Sequence, residues 1–169
     1  CELCTRRGHG RLHIMGGVDD GEYAQECYAL VDQLHLENVI FTGRVDIISY
    51  MEKLDFTILT SISEGQPLSV LESFAARRPC VTTDVGCCRE LLNGNEEDRY
   101  GKAGYCVPPM YREGLAQAMD QMCASRTRRL RMGKNAQKRV KAYYRKEEMI
   151  EKYRKMYQEV EEADGRNRI

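Results

Sequence analysis

Short apolar runs alternate with helical stripes of apolar residues through about the first 125 positions of the chain. The runs end at glycine or polar turns, as strands do. Strands are predicted over 11–15, 38–43, 56–62, 80–83 and 104–107. Helices are predicted between them over 22–36, 46–53, 67–76 and up to about 92. Because strands and helices alternate, the crossover rule predicts an α/β fold: a Rossmann-like parallel sheet with helices on both faces.

The first predicted helix shows the clearest amphipathic stripe. Asp19 or Asp20 can cap its start, and its apolar positions recur at helical spacing. The residues expected to be buried are Tyr23, Cys27, Leu30, Val31 and Leu34.

Three further helices are predicted after the last strand, over 113–123, 128–144 and 147–162. A length of 169 residues supports one substantial core, not two. We therefore expect a Rossmann-like domain over 1–125, carboxyl-terminal helices over 126–164 that pack on the same domain, and a tail over 165–169.

The charge balance excludes some functions for the chain as a whole. Basic and acidic residues both number 26, so no overall field favours nucleic acid, and no nucleic-acid partner is predicted. Residues 126–155 are locally basic, with 13 basic side chains against 3 acidic ones. A solvated helix face is the main interpretation of this segment, and contact with a membrane surface is the minority interpretation.

Eight cysteines are spread through predicted strands and helices, which favours reduced thiols over a disulfide framework. The sequence has no signal peptide and no long apolar run, so we expect a cytoplasmic chain, with a peripheral position at the inner face of the membrane as the alternative. Cys1 and Cys4, with His9 and His13, loosely imitate a zinc finger. Their spacing is too short, and no metal site is predicted. The opening residues, without a methionine, suggest a piece of a longer chain.

The most informative segment joins the strand at 56–62 to the following helix through Ser63-Glu64-Gly65-Gln66-Pro67. Pro67 suits the first helical turn because its φ is fixed and it lacks an N–H that the helix could not use. The unpaired N–H groups at such a helix start can bind phosphate. Glu64 and Glu72 can then accept hydrogen bonds from sugar or ribose hydroxyls on either side.

Other interpretations of the segment remain open at this point. Glu64 could be a capping carboxylate, and Glu72 could lie on a solvated helix face. A dinucleotide oxidoreductase is disfavoured because Gly16-Gly17 lacks the G-x-G-x-x-G spacing. A receiver domain is disfavoured because it needs an acidic cluster after its first strand and a lysine after its last.

The order of several motifs resembles that of a known family. These motifs are L-H-I-M-G-G, N-V-I-F-T-G-R-V, S-E-G-Q-P-L-S-V-L-E, P-C-V-T-T-D-V-G, R-E-L-L, G-Y-C-V-P-P and R-L-R-M-G-K-N-A. They resemble the nucleotide-sugar-binding half of retaining glycosyltransferases of family 4, which have the two-lobed GT-B fold. The segments S-I-S-E-G-Q-P and D-V-G-C-C-R-E-L are most similar to the subgroup that includes the Pel exopolysaccharide glycosyltransferase.

The resemblance implies a role for each matching residue. Glu64 would be catalytic and contact the donor sugar, and Glu72 would accept from the ribose hydroxyls. The backbone of Arg44 and Val45 would hold the base. Further donor-binding positions are the turn at Gly16 and Gly17 and the segment Gly65, Gln66, Pro67, Leu68 and Ser69.

The implied reaction transfers a hexose, as from UDP-glucose, to a saccharide or lipid-linked acceptor with retention of configuration. The implied partners are an amino-terminal GT-B lobe and membrane-associated polysaccharide machinery. No metal cofactor is expected, and no Asp-x-Asp motif is present. A non-catalytic module that binds nucleotide sugars is the alternative.

Two departures from the family pattern stand out. An arginine and a lysine that neutralise the diphosphate in family members have no counterpart in this sequence, and they belong to a region around a central strand that would precede Cys1. We therefore expect an unpaired strand edge. Arg77 takes the place of a glycine that ends the E-x7-E helix, which should cost about 1 kcal/mol or lead to a different cap.

Overall fold

The computed structural model describes residues 10–166, and side chains through residue 162. The five strands within this part of the chain all pair in parallel. Their bounds are β1 Leu12–Met15, β2 Val39–Gly43, β3 Thr57–Leu59, β4 Cys80–Thr83 and β5 Gly104–Val107. The predicted α/β class with a parallel arrangement is therefore confirmed.

Seven helices connect and follow the strands in the described residues, and their bounds lie close to the predicted ones. They are α1 Gly21–Gln33, α2 Ile47–Met51, α3 Leu68–Ala75, α4 Cys88–Asn93, α5 Arg112–Cys123, α6 Arg126–Tyr143 and α7 Lys146–Arg166. The side chain of Asp20 caps α1 by accepting from the N–H groups of Glu22 and Tyr23, which is one of the two caps expected.

The strands form two separate sheets where the sequence predicted one. β1 pairs with β2, and β3, β4 and β5 form a second sheet in that order. Leu12 lies opposite Val39 in the first sheet, and Thr57 lies opposite Cys80 in the second. Within the described residues, the outer strands β1, β2, β3 and β5 each have one edge without a ladder partner. The expectation that a preceding strand would pair with one of these edges stays a prediction.

β4 is the centre of the hydrophobic core. All four of its residues are buried, and its neighbours cover both of its faces. Cys80 packs in a cluster with Val70 and Phe74 of α3 and with α4 and α6. Val81, which points to the opposite face, packs with α5. The alternation places helices on both faces of this sheet.

The predicted buried stripe of α1 is only half correct. Tyr23, Leu30 and Leu34 are 66%, 54% and 48% exposed, while Cys27 and Val31 are half-buried. No residue of α1 is buried. The pattern is amphipathic as expected, but no described element covers the outer part of the stripe.

The basic segment is mainly solvated, as the sequence indicated, because ten of its 13 basic side chains are exposed. Arg139 is the exception. Arg139 of α6 is 1% exposed, and its Nε forms an ion pair with Asp98. Its Nη1 donates to the carbonyl of Leu91 (2.9 Å), and its Nη2 donates to that of Gly101 (2.8 Å). One buried guanidinium therefore ties α6 to the end of α4 and to the loop that follows it.

The cap after α3 keeps the left-handed form with arginine in it. Arg77 has φ +60°, and its N–H donates to the carbonyl of Phe74 (3.0 Å). The next N–H, of Arg78, donates to the carbonyl of Ser73 (2.8 Å). The suggestion that this cap is built differently is therefore wrong, because Arg77 adopts the strained conformation itself.

The two last helices differ in their surroundings. Gly133 of α6 lies so close to the Arg77 carbonyl that an added Cβ would be 2.1 Å from it. Ile150 of α7 is half-buried, but five other apolar side chains of this helix are half or more exposed: Met149, Tyr153, Met156, Tyr157 and Val160. The domain boundaries at 125 and 164 stay predictions. Within the described residues, no helix is long and apolar enough to cross a membrane.

Candidate functional site: the carboxyl ends of the strands

The loop after β3 holds the Glu64 side chain in place through a local hydrogen bond. Ser61 Oγ donates to Glu64 Oε1 at 2.7 Å, and the Glu64 side chain is half-buried. β3 ends at Leu59, three residues before the predicted end. Within the described residues, the Glu64 carboxylate accepts from Ser61 and from no N–H group of α3, so it does not cap that helix.

The loop after β4 braces the loop after β3. Thr83 Oγ1 donates to the carbonyl of Ser61, and the Cys87 N–H donates to the carbonyl of Gly65 (3.0 Å). Gly86 lies between these bonds with φ +52°, and a Cβ there would be 2.3 Å from the carbonyl oxygens of both Glu64 and Gly65. Only glycine satisfies both the backbone angle and the close approach.

The start of α3 is open to solvent. Pro67 is the N-cap, one position before the first helical residue, where the sequence predicted it in the first turn. Gln66, Leu68 and Ser69 are exposed, with Leu68 at 69%. Within the described residues, the N–H groups of Leu68 and Ser69 donate to no acceptor. A helix start of this kind offers N–H donors and the positive end of the helix dipole to an anion.

Glu72 lies on the outer face of α3. The buried face of the helix consists of Val70, Ser73 and Phe74, and Glu72 is exposed one turn after Leu68. No hydrogen bond fixes its side chain within the described part of the chain. Its position agrees with the solvated-face interpretation and leaves the carboxylate available to a ligand.

The ends of β1 and β2 form a second group of predicted site residues. Gly16 has φ +146°, and its N–H donates to the carbonyl of Gly43 (3.0 Å). Gly17 lies beneath the Arg44 side chain, since a Cβ on Gly17 would be 2.8 Å from Arg44 Nε. Arg44 is exposed, and Val45 is half-buried.

The structure thus brings the predicted residues together in two groups. Gly16, Gly17, Arg44 and Val45 lie at the end of the first sheet, and 64–72 lie at the end of β3 in the second. Both groups are at the carboxyl ends of parallel strands, where open α/β sheets bind ligands. Within residues 10–162, no hydrogen bond joins one group to the other.

Several polar residues near the second group were not singled out from the sequence. Asp84 follows β4 and forms an ion pair with Arg89, whose hydrogen bonds hold the pKa of the Asp84 carboxyl below its usual range. Burial raises the pKa of the Cys87 thiol, and a hydrogen bond with the Gln66 side chain opposes that rise. The glycine after β4, within D-V-G, was the available signal for a close loop contact.

No group of three or more metal-ligating side chains occurs among the described residues. His13 Nδ1 and the Tyr50 hydroxyl form a hydrogen bond of 2.5 Å. Cys1, Cys4 and His9 lie outside the described residues, so the zinc-finger-like spacing is not tested. Metal independence stays a prediction.

Comparison with known proteins identifies the family. Residues 3–139 match the family model described as glycosyl transferases group 1. The chain belongs to the group 1 glycosyltransferases. It is 28% identical over 154 residues to N-acetyl-alpha-D-glucosaminyl L-malate synthase of Bacillus anthracis, covering 90% of this chain and 39% of that protein. It is 37% identical over 93 residues to the O-antigen biosynthesis glycosyltransferase WbnH of Escherichia coli, covering 55% of this chain and 26% of that protein.

Solved structures of GT-B glycosyltransferases share the fold of this group 1 domain. Sucrose-phosphate synthase from Thermosynechococcus elongatus aligns with a TM-score of 0.83 at 24% identity, over 96% of this chain and 41% of that one. Anabaena HepE in complex with UDP aligns with a TM-score of 0.77 at 19% identity, over 89% and 41%. The chain therefore spans about two-fifths of the length of these relatives.

Proposed function

We propose that this group 1 domain is the donor-binding half of a retaining glycosyltransferase. The enzyme moves a hexose from a nucleotide diphosphate sugar, such as UDP-glucose, to a saccharide or lipid-linked acceptor in polysaccharide biosynthesis. The domain corresponds to family 4, and within it to the Pel-like subgroup. An amino-terminal GT-B lobe supplies the acceptor site, and the enzyme works beside membrane-associated polysaccharide machinery on the cytoplasmic side.

The observation that carries the proposal is the open, braced start of α3. The N–H groups of Leu68 and Ser69 have no protein acceptor in the described residues, and they follow a loop that Thr83 and Cys87 hold in place. Glu64 is fixed beside this point by Ser61. The arrangement offers fixed donors to a diphosphate and a fixed carboxylate to the sugar.

The proposed chemistry follows from where charge develops. The leaving nucleotide diphosphate gains negative charge as the glycosidic bond breaks, so fixed N–H donors stabilise it more in the transition state than in the ground state. These donors supply part of the stabilisation that a metal ion would otherwise give, in keeping with the expected metal independence. Glu64 orients the donor sugar through its hydroxyls.

The remaining residues position the nucleotide. Glu72 accepts hydrogen bonds from the ribose hydroxyls, and the backbone at Arg44 and Val45 holds the base. Gly16 and Gly17 let the nucleotide approach the chain closely. The contact between Gly17 and the Arg44 side chain keeps this turn and the base-binding segment together.

The test is calorimetric titration of UDP into the complete enzyme and its variants. We expect Glu72→Ala to weaken UDP binding by about 1–3 kcal/mol, because a charge-assisted hydrogen bond is lost. Glu159→Ala is the matched control, since Glu159 is an exposed helical glutamate on α7. Equal affinity of wild type and Glu72→Ala would remove Glu72 from the ribose role. Failure of the wild type to bind UDP would end the proposal.

A non-catalytic module that binds nucleotide sugars is the second candidate, and the same exposed α3 start supports it. A measurement of enzymatic turnover distinguishes the glycosyltransferase from the non-catalytic module. The enzyme hypothesis is supported if the complete protein releases UDP from UDP-glucose in the presence of acceptor. The Glu64→Ala variant should then lose this release while it still binds UDP. Tight binding without turnover by the complete protein supports the module.

A further inference from the structure

Four arginines surround a pocket at the end of the sheet opposite to the donor site. The pocket has a volume of about 100 Å³, and the residues that line it are Asp55, Arg77, Arg78, Pro79, Arg126, Arg129 and Leu130. Asp55 lies two residues before β3 and Pro79 directly precedes β4, so both mark the amino ends of the strands. The pocket is therefore distinct from the carboxyl-end site.

The guanidinium groups differ in what they already bind. Arg78 donates to the carbonyls of Met51 (3.0 Å) and Glu52 (2.7 Å), so its position is fixed. The side chains of Arg77 and Arg126 have no hydrogen bond or ion pair within the described residues. Two guanidinium groups at the pocket are thus free to bind a ligand.

Arg129 adds a second, independent observation. Its Nη1 donates to the carbonyls of Met122 and Cys123 (both 2.8 Å), which holds the side chain against the end of α5. Its Nε is buried without any acceptor, the one such side-chain atom among the described residues. A buried donor without an acceptor costs free energy.

The first turn of α6 concentrates positive charge at the amino terminus of the helix. Arg126, Arg128 and Arg129 occupy that turn, and no acidic residue accompanies them. Positive charge at a helix amino terminus opposes the helix dipole, whereas negative charge there is stabilising. An anion in the pocket would relieve this repulsion.

One carboxylate also lines the pocket. Asp55 Oδ1 accepts from Arg129 Nη2 at 3.3 Å, and the Asp55 side chain is 73% exposed. With four guanidinium groups and one carboxylate, the lining keeps a net charge of about +3 at neutral pH. The single exposed aspartate does not neutralise the pocket.

We propose that this arginine pocket is a binding site for a phosphate-class oxyanion, either free phosphate or the phosphate of a lipid headgroup. Planar guanidinium groups bind tetrahedral oxyanions through paired N–H donors. Arg78 and Arg129 form the fixed wall of the site, and Arg77 and Arg126 close on the anion. The arginine pocket is separate from the donor site, and phosphate binding there does not depend on the proposed glycosyl transfer.

The test is a titration with inorganic phosphate at neutral pH and constant ionic strength, followed by nuclear magnetic resonance. The Nε–Hε signal of Arg129 reports the arginine pocket, and the amide signals of Leu68 and Ser69 report the donor site separately. We expect the chemical shift of the Arg129 Nε–Hε signal to change as phosphate is added and to reach a plateau. Arg126→Gln should raise the dissociation constant about tenfold.

Arg77→Gly should weaken phosphate binding because it removes a guanidinium group. It should also raise stability because glycine adopts the positive φ at this position without strain. Arg131→Gln and Lys134→Gln are the matched controls, since both are exposed residues of α6 outside the pocket. An unshifted Arg129 signal, or equal weakening by pocket and control variants, overturns the proposal.

Vesicles separate the two sources of phosphate. Sedimentation with phosphatidylglycerol vesicles that depends on Arg77 and Arg126, and is absent with phosphatidylcholine, assigns the site to a lipid headgroup. Saturable binding of phosphate without vesicle binding assigns it to a free anion. Binding of neither overturns the site.

Discussion

Arg77 forms the cap at the end of α3 and adopts a strained backbone conformation to do so. Its φ of +60° is a conformation that glycine adopts freely and other residues adopt at a cost of about 1–2 kcal/mol. The two cap hydrogen bonds and the close approach of Gly133 hold the conformation in place.

Arg77→Gly should therefore raise the free energy of unfolding by about 1 kcal/mol relative to Arg77→Ala. The alanine variant removes the same guanidinium but keeps a Cβ, so the difference isolates the backbone. Urea denaturation of both variants measures it. If the two variants are equally stable, the positive φ is not a source of strain.

The Asp98–Arg139 pair is the second residue-scale feature, because both side chains are almost fully buried. Asp98→Asn leaves a buried guanidinium without its counter-charge, and we expect a loss of about 3–5 kcal/mol in the free energy of unfolding. Thermal or urea denaturation measures the loss. Asp32→Asn, at an exposed position on α1, should change stability little.

The same pair predicts a pH dependence. Burial raises the pKa of Asp98, but hydrogen bonds from Arg139 and from the Tyr100 N–H outweigh it and hold the pKa below its ordinary value of 3.8. The folded state thus binds fewer protons than the unfolded state, so the stabilisation is complete above pH 3.8 and is lost as the pH falls further. Acid denaturation of Asp98→Asn should lack this contribution.

At the scale of elements, the contact between the β3–α3 and β4–α4 loops depends on Gly86. Gly86→Ala places a Cβ 2.3 Å from two carbonyl oxygens at a positive φ. We expect a loss of about 2 kcal/mol or more in stability, and weaker UDP binding by the complete enzyme. Gly21→Ala is the control, because nothing lies within 4 Å of a Cβ there. A Gly86→Ala variant as stable as Gly21→Ala would contradict the bracing.

The sequence predicted which segments are helices and strands, but it did not predict the packing around several of them. Strand runs such as Cys80–Thr83 and the Asp20 cap follow from local pattern and local hydrogen bonding, so the sequence alone indicated them. The burial of Arg139 depends on Asp98, 41 positions away, and on carbonyls at the end of α4. No local signal distinguishes that arginine from its solvated neighbours on α6.

At the scale of the whole molecule, the two sheets differ in burial. β4 is buried throughout, whereas no residue of β1, β2 or α1 is buried. In the 169-residue chain, amide hydrogen exchange should therefore be slowest in β4 and faster by local opening in β1 and β2. Equal protection of Val81 and Ile14 in exchange measurements would show that the two sheets open together.

The fold class and the position of the candidate residues at the strand ends could be predicted because both follow from alternation and topology. The loop brace could not, since Thr83–Ser61 and Cys87–Gly65 are contacts between segments about 22 residues apart. The division into two sheets was also not predicted, because sequence pattern specifies strands but not which edges pair.

The brace between the two loops has a kinetic consequence. Because Thr83 and Cys87 hold the turn through bonds within the protein, an anion bound as proposed at the start of α3 would meet donors that the fold already positions. We therefore expect the association rate of the proposed diphosphate ligand to depend on diffusion and charge and not on a slow rearrangement of this loop.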